Sequence, residues 1–337
     1  MHVTGSMNTH LFAPAPALAL VLALLTSACA GTSQAGSPAD TGSAPGATPS
    51  TTPSWPSPTA APHDVLSVGF GPHRVSVGAG SVWVASVTGA VHRIDDRRVK
   101  LLAEVPSGLV QAAATAGRVF VGDNKRSRVL VYDQRSGKPS KELVMPGPVR
   151  SVVVALGAVW VTAGDSVLRY NPRTLRRLSA VTVGGEAAQL AQSGSSMVAT
   201  NRTIAQVSSL DRTGQLVGTA TIEAPAIGVT VTPEQIWVLH ANEPSLTVLS
   251  RERFRPVDVI ELPGVAFGAA TVGDEVWVTL FDNDSVARLA ASGELLGQLT
   301  VGRQPLGIVA DKDWVWVANQ GESSVWRLPA GLADGGS

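Results

Sequence analysis

The sequence predicts an all-β fold, a closed ring of seven four-stranded blades, and three observations predict it. An apolar anchor followed by valine recurs seven times, at Trp83-Val84, Phe120-Val121, Trp160-Val161, Met197-Val198, Trp237-Val238, Trp277-Val278 and Trp316-Val317, in steps of 37, 40, 37, 40, 40 and 39 residues. A second anchor follows each by 10 to 13 residues: Ile94, Tyr132, Tyr170, Leu210, Leu249, Leu289 and Leu328. The segments between are short and rich in Val, Ile, Thr and Trp, and the 337-residue chain carries 34 Gly and 22 Pro, the punctuation of many tight turns. Four short strands per period of about 40 residues is the pattern of a β-propeller blade. A β-sandwich also has regular turns, but nothing in it keeps two registers in step over seven copies.

In chain order, residues 1–28 read as an export signal and not as structure. The run LFAPAPALALVLALL at 11–25 is apolar, and small residues lead into Cys29, the single cysteine. This stretch resembles the lipobox of bacterial lipoproteins, which implies that Cys29 becomes the lipidated N-terminus of the mature chain. It departs from that pattern in having Thr26 where Leu is usual and no Lys or Arg before the apolar run. Residues 29–62 are almost entirely Ala, Gly, Ser, Thr and Pro, too poor in apolar surface to offset chain entropy, and are expected to form a flexible tether with Trp55 in solvent. The propeller is expected over 63–329, and 330–337 as a flexible tail.

Within the ring, the last copy shows the elements. Residues 306–310 form a first strand, 314–318 a second after the turn Asp311-Lys312-Asp313, and 324–328 a third. Fourth strands are expected near 99–105, 141–145, 177–183, 215–222, 257–262 and 295–301. The last copy has none after Leu328-Pro329, yet residues 64–69 read like one and precede the first copy. The N-terminal strand is therefore expected to complete the last blade, which removes an open edge.

The residues Val301-Gly302, Pro305, Gly307-Ile308-Val309, Val315-Trp316-Val317-Ala318-Asn319 and Ser324-Val325, with a second copy from Gly71-Pro72 to Ala85, resemble the YVTN and NHL-type propellers and the related streptogramin (virginiamycin B) lyase propeller. The likeness covers about 63–329. It is specific for fold and poor for function, since propellers host enzymes, binders and scaffolds alike.

Composition narrows the function. Lys+Arg and Asp+Glu are both 26, so the chain is neutral and lacks the excess of cations a nucleic-acid binder uses to displace counterions. One cysteine excludes a disulfide framework and a cysteine-based zinc site. In a propeller the loops between blades and those between second and third strands share one face around the channel. The repeat assigns His73, Arg74, Arg150, Glu186, Phe267, Arg303 and Gln304 to the first set. To the second it assigns Asp123, Asn124, Asp165, Asn201, His240, Asn242, Asp282, Asn283, Asn319 and Gln320. Such a mixed ring suits a polar small molecule or a protein surface. The leading reading is a membrane-anchored binding or protein-interaction module outside the cytoplasmic membrane, with no cofactor and no nucleic acid.

The rival reading is a lyase. The resemblance implies a Glu three residues after the anchor, a His base and a carboxylate-held Mg²⁺. Here those positions hold Ser86, Asp123, Ala163, Thr200, His240, Leu280 and Asn319, which leaves His240 as the candidate base and Asp123 as the carboxylate. Asp282-Asn283-Asp284-Ser285 lacks the length and closing Glu of a calcium loop. The cluster Lys125-Arg126-Ser127-Arg128 reads as a solvated hairpin tip.

Overall fold

The computed structural model describes residues 54–61, 63–105, 108 and 110–334, so the expected signal and Cys29 lie outside the described residues. The chain opens with strand β1 (Asp64–Ser67). Blade one then holds β2 (Pro72–Gly78), β3 (Ser81–Ser86), β4 (Ala90–Asp95) and β5 (Arg98–Glu104). Blade two holds β6 (Val110–Thr115), β7 (Arg118–Asp123), β8 (Arg128–Asp133) and β9 (Pro139–Val144). Blade three holds β10 (Val149–Ala155), β11 (Ala158–Ala163), β12 (Ser166–Tyr170) and β13 (Arg177–Thr182). Blade four holds β14 (Ala187–Ser193), β15 (Ser196–Asn201), β16 (Gln206–Leu210) and β17 (Leu216–Thr221). Blade five holds β18 (Ala226–Val231), β19 (Gln235–His240), β20 (Ser245–Ser250) and β21 (Arg255–Glu261). Blade six holds β22 (Ala266–Val272), β23 (Glu275–Leu280), β24 (Ser285–Leu289) and β25 (Leu295–Thr300). Blade seven holds β26 (Pro305–Ala310), β27 (Trp314–Asn319) and β28 (Ser324–Pro329), and β1 is its fourth strand. Every blade is an antiparallel sheet of four strands, and the ring closes through β1 pairing with β28 from Asp64↔Arg327 to Ser67↔Ser324.

Burial explains the strand chemistry. Second strands such as β3, β11 and β23 are buried at every position, because a neighbouring blade covers each face; they read as continuous apolar runs. Fourth strands lie at the rim. β9 (PSKELV) and β21 (RPVDVIE) are almost wholly exposed, and their Lys, Asp, Glu and Pro discourage edge-to-edge pairing. The hairpin from β10 to β11 turns through Leu156 (φ 50°) and Gly157 (φ 73°), the double left-handed turn that matches strand twist.

Seven apolar clusters fill the seven gaps between blades. Trp83 packs with Val119 and Val121 of the next blade, Phe120 with Val159 and Val161, and Trp237 with Val276 and Val278. Blade four departs from the expected register by one residue. Met197 opposes Leu210, as Ile236 opposes Leu249, so Val198 and not Met197 stands where the other blades have Trp or Phe. Met197 instead packs with Trp160 in the preceding gap. The gap between blades four and five is thus filled by Val198, Ile222, Ile236 and Val238, with Phe254 at its margin. A cleft of about 270 Å³ lined by Val198, Ile236 and Phe254 remains there.

A second regularity ties third strands to second strands. Arg93, Arg169, Arg288 and Arg327 sit directly across from Trp83, Trp160, Trp277 and Trp316, with each guanidinium 5.6–5.8 Å from the ring centre. Arg327 also lies 3.9 Å over Trp314 and bonds Asp64 of β1 and Asp96 of blade one, which latches the ring closed.

The ends are more ordered than their composition implies. Thr59 pairs with Leu299 beside β25, bonding Gln298 and Thr300 through its backbone, and the buried Gln298 donates to the Pro56 carbonyl at 2.6 Å. Trp55 is half-buried. His63 stacks on Trp326 at 3.8 Å. At the other end residues 330–334 form a short 3-10 turn, with Ala330 and Leu332 against the blade-seven core.

Candidate functional site

First strands line the channel, and one register along them decides its chemistry. At one level blades one, two and four present Arg74, Gln111 and Gln189 while blades five to seven present the glycines Gly228, Gly268 and Gly307; one residue nearer the inter-blade loops stand Arg150, Ile227 and Phe267. The channel is therefore polar on one side and apolar on the other. The small residues are sterically required. A Cβ at Gly307 would come within 2.9 Å of the His73 carbonyl across the seam between blades seven and one. The pocket at the mouth holds about 230 Å³, and Asn124 and Arg202 from the loops after β7 and β15 complete its polar side.

Its electrostatics are set by three guanidiniums and one carboxylate. Arg150 is paired with Glu186 at 2.6 Å, and Arg202 reaches the other oxygen of Glu186 at 3.9 Å. Arg74 has no carboxylate within ion-pair reach among the described residues. With its amide turned so that the carbonyl faces the guanidinium, Gln189 accepts from both terminal nitrogens of Arg74, at 2.9 and 2.6 Å across the channel. Burial, and then the like charges of Arg202 and Arg150, press the pKa of Arg74 down to about 10, so it remains a cation at neutral pH in a place that disfavours one. Burial, and then Arg74, push His73 down to about 3, so its ring is neutral. His73 Nδ1 and Gln111 Oε1 are buried without a hydrogen-bond partner among the described residues. Orphaned polar atoms of this kind are costly and few in folded proteins.

Of the residues expected on this face, His73, Arg74, Asn124, Arg150 and Phe267 converge on the pocket, and Glu186 stands behind Arg150. Asn242, Asp282, Asn283, Arg303 and Gln304 are exposed outside it. Asp123, Asn201, His240 and Asn319 are not loop tips at all. Each is the last residue of a second strand and is buried within its own blade. Asp123 binds Arg128 at 2.8 Å, which takes Arg128 out of the solvated cluster expected at 125–128. Asn201 ties the loop before β14 to its own turn by accepting from Glu186 and Thr203 backbone N–H groups. Sequence reading missed Gln111, Gln189 and Arg202. The first two share the inner-strand register of Arg74, at steps of about one repeat, and aligning first strands instead of loops would have found them. The register slip in blade four also puts Asn201, not Thr200, level with Ser86 and His240.

The lyase chemistry implied by the resemblance does not fit these residues. His240 is 1% exposed; its ring nitrogens lie 2.7 Å from the hydroxyls of Ser245 and Thr247, with Glu243 3.8 Å away at the surface. Burial lowers its pKa, against the opposing pull of Glu243 and Glu223. It is absent from the pocket lining. No group of three His, Cys, Asp or Glu among the described residues is placed to hold a metal ion, so these residues do not fit a carboxylate-held Mg²⁺.

Fold and channel define the class: a seven-bladed β-propeller with a ligand-sized pocket at one mouth. No family model matches the chain, and no curated protein sequence matches it. Solved structures do. A streptogramin B lyase superposes with a TM-score of 0.67 at 16% identity, over 79% of this chain and 96% of that one. The virginiamycin B lyase from Staphylococcus aureus gives 0.67 at 14%, over 80% and 99%. A chain of the mitotic checkpoint complex gives 0.70 at 14%, over 85% and 97%. At these identities the likeness is one of fold.

Proposed function

We propose that this chain is a lipid-anchored protein of the bacterial envelope whose propeller is a binding module, with its ligand seated at the channel mouth and not chemically changed there. The observation that carries this reading is the make-up of the pocket. Side chains from several blades converge on it, as a binder requires, while its only histidine is neutral down to about pH 3 and the rival base, His240, is tied up in its own blade. An acid–base catalyst needs a titratable group poised near working pH within reach of a substrate. The anchor rests on the lipobox-like approach to Cys29, and the Ala, Gly, Ser, Thr and Pro-rich stretch after it gives the propeller reach from the membrane.

Two experiments test the two halves. Cys29→Ala is expected to move the protein out of the membrane fraction and abolish incorporation of labelled fatty acid; a retained label overturns the anchor. A small-molecule screen against the intact propeller is expected to yield ligands that Arg150→Ala weakens and that are recovered unchanged. Virginiamycin B incubated with the propeller and Mg²⁺ is expected to be recovered intact. Its conversion, lost in His240→Ala, establishes the lyase reading instead.

A further inference from the structure

Three polar groups at the channel mouth lack a matching partner among the described residues. Arg74 is a cation whose contact is a neutral amide, and His73 Nδ1 and Gln111 Oε1 are buried with no partner. The three residues line one pocket, and Arg150 and Arg202 add to the positive field there because Glu186 serves both. Arg150 and the half-exposed Arg202 are like charges that disfavour the charged form of Arg74, and one carboxylate does not balance all three. The opposite wall is apolar, with Phe267 backed by Phe281 at 5.2 Å and Ile227 beside it.

We propose that the pocket takes a small organic anion, its carboxylate or phosphate on Arg74 and its flat apolar body against Phe267 and Ile227. This rests on the reading of the channel mouth as the binding face and adds the chemistry of the occupant. The anion supplies the counter-charge that Arg74 lacks, by charge-assisted hydrogen bonds, which are about twice as strong as neutral ones. The volume of about 230 Å³ lies just below the usual range for small-molecule pockets, ~300–1,000 Å³, so the occupant is a small molecule and not a polypeptide segment.

Three probes of nearly one shape separate charge from shape: benzoate, neutral benzamide and cationic benzamidine, with 4-hydroxybenzoate and inorganic phosphate beside them. Calorimetry or ligand-observed NMR on the intact propeller is expected to rank benzoate above benzamide by at least about tenfold, a difference of ~1.4 kcal/mol, and to find no benzamidine binding. 4-Hydroxybenzoate is expected to bind at least as well as benzoate, and phosphate more weakly for want of an apolar body. Arg74→Gln is expected to lose the preference for benzoate over benzamide, and Arg202→Gln to reduce it. Arg98→Gln, at the exposed start of β5, is expected to leave it unchanged. The melting temperature of Arg74→Gln checks that the ring is folded. Equal binding of the three isosteres, a preference that survives Arg74→Gln, or no binding by any anion at millimolar concentration overturns the proposal. If the anions fail while another ligand remains sensitive to Arg150→Ala, the binding-module reading stands and only the anion falls; if both screens are empty, both fall.

Discussion

Arg74 and Arg150 stand two blades apart at one channel mouth, yet they are expected to respond oppositely to the same substitution. Arg150→Gln takes from Glu186 its partner at 2.6 Å and leaves it only Arg202 at 3.9 Å, and is expected to lower stability by up to about 1 kcal/mol. Arg74→Gln removes a cation that no carboxylate balances, and the melting temperature is expected to stay level or rise. A thermal melt of the two variants decides it; a clear loss for Arg74→Gln means that its bonds to Gln189 outweigh the cost of its unbalanced charge. His73 adds a pH dependence with a definite sign. In the unfolded chain it takes a proton near pH 6.5, whereas in the fold it resists until about 3, so the unfolded state binds the extra proton between those values. Its effect on stability is nil above 6.5 and grows more unfavourable as the pH falls from 6.5 towards 3. Denaturant unfolding at pH 7 and pH 5 is expected to show a smaller loss for His73→Gln than for the parent chain. His240 behaves as a core residue. His240→Ala leaves the Ser245 and Thr247 hydroxyls unpaired and is expected to cost on the order of 1–3 kcal/mol without changing ligand binding at the channel mouth.

At the scale of strands and blades, the anchors are unequal. Trp160 donates its indole N–H to the Ala155 carbonyl at 3.0 Å, whereas the buried Trp237 Nε1 has no partner among the described residues. Trp160→Phe is therefore expected to cost more than Trp237→Phe, although either residue changed to Ala costs on the order of 3–5 kcal/mol. Blade four is the exception, because Val198 occupies the anchor position beside a cleft of about 270 Å³. Val198→Phe is expected to raise stability by about 0.5–2 kcal/mol, as cavity-filling changes do. A lower melting temperature would show that the neighbours cannot yield to the ring. These elements also show what the sequence made legible. The anchor and second-anchor spacings were enough for seven blades, for the strands within them and for closure by β1, since both spacings follow from period-two strands in a repeated unit. In blade four Met197 and Val198 are both apolar, so the pattern could not say which was the anchor; cross-strand pairing with Leu210 decides it. Of the pocket, His73, Arg74, Asn124, Arg150 and Phe267 were legible, because they stand beside recognisable turns. Gln111 and Gln189 lie inside strands, where nothing local separates a channel-facing glutamine from an ordinary one. The buried second-strand ends cannot be told from loop tips in the sequence, because polar residues next to a turn look solvated until their partners are known.

At the scale of the molecule, the ring depends on a latch made from sequence-distant parts. Arg327 of β28 joins Asp64 at the start of the propeller and Asp96 of blade one, and hydrogen bonds from Arg327 lower the pKa of both carboxylates. Their contribution is complete above the unfolded value of 3.8 and is lost as the pH falls through the lower folded values. Arg327→Met, or deletion of 63–69, is expected to destabilise the whole propeller. The acid-induced loss below pH 3.8 is also expected to be smaller in Arg327→Met than in the parent chain, as acid titrations of unfolding would show.

The pairing of Thr59 beside β25 has a mechanical side. If the chain is held to a membrane at Cys29, any pull on the propeller travels along the polypeptide from that end. It meets blade six at Pro56 and Thr59 before it reaches the strand that closes blade seven. The first bonds to yield are then those to Gln298 and Thr300, which hold only a short stretch of chain and can re-form without unfolding a blade. In that case the Pro56–Thr59 stretch acts as a fuse ahead of the ring closure. Pulling single molecules by residue 54 is expected to give a small, reversible extension before the main rupture, and Gln298→Ala is expected to weaken that early event while leaving the main rupture force unchanged.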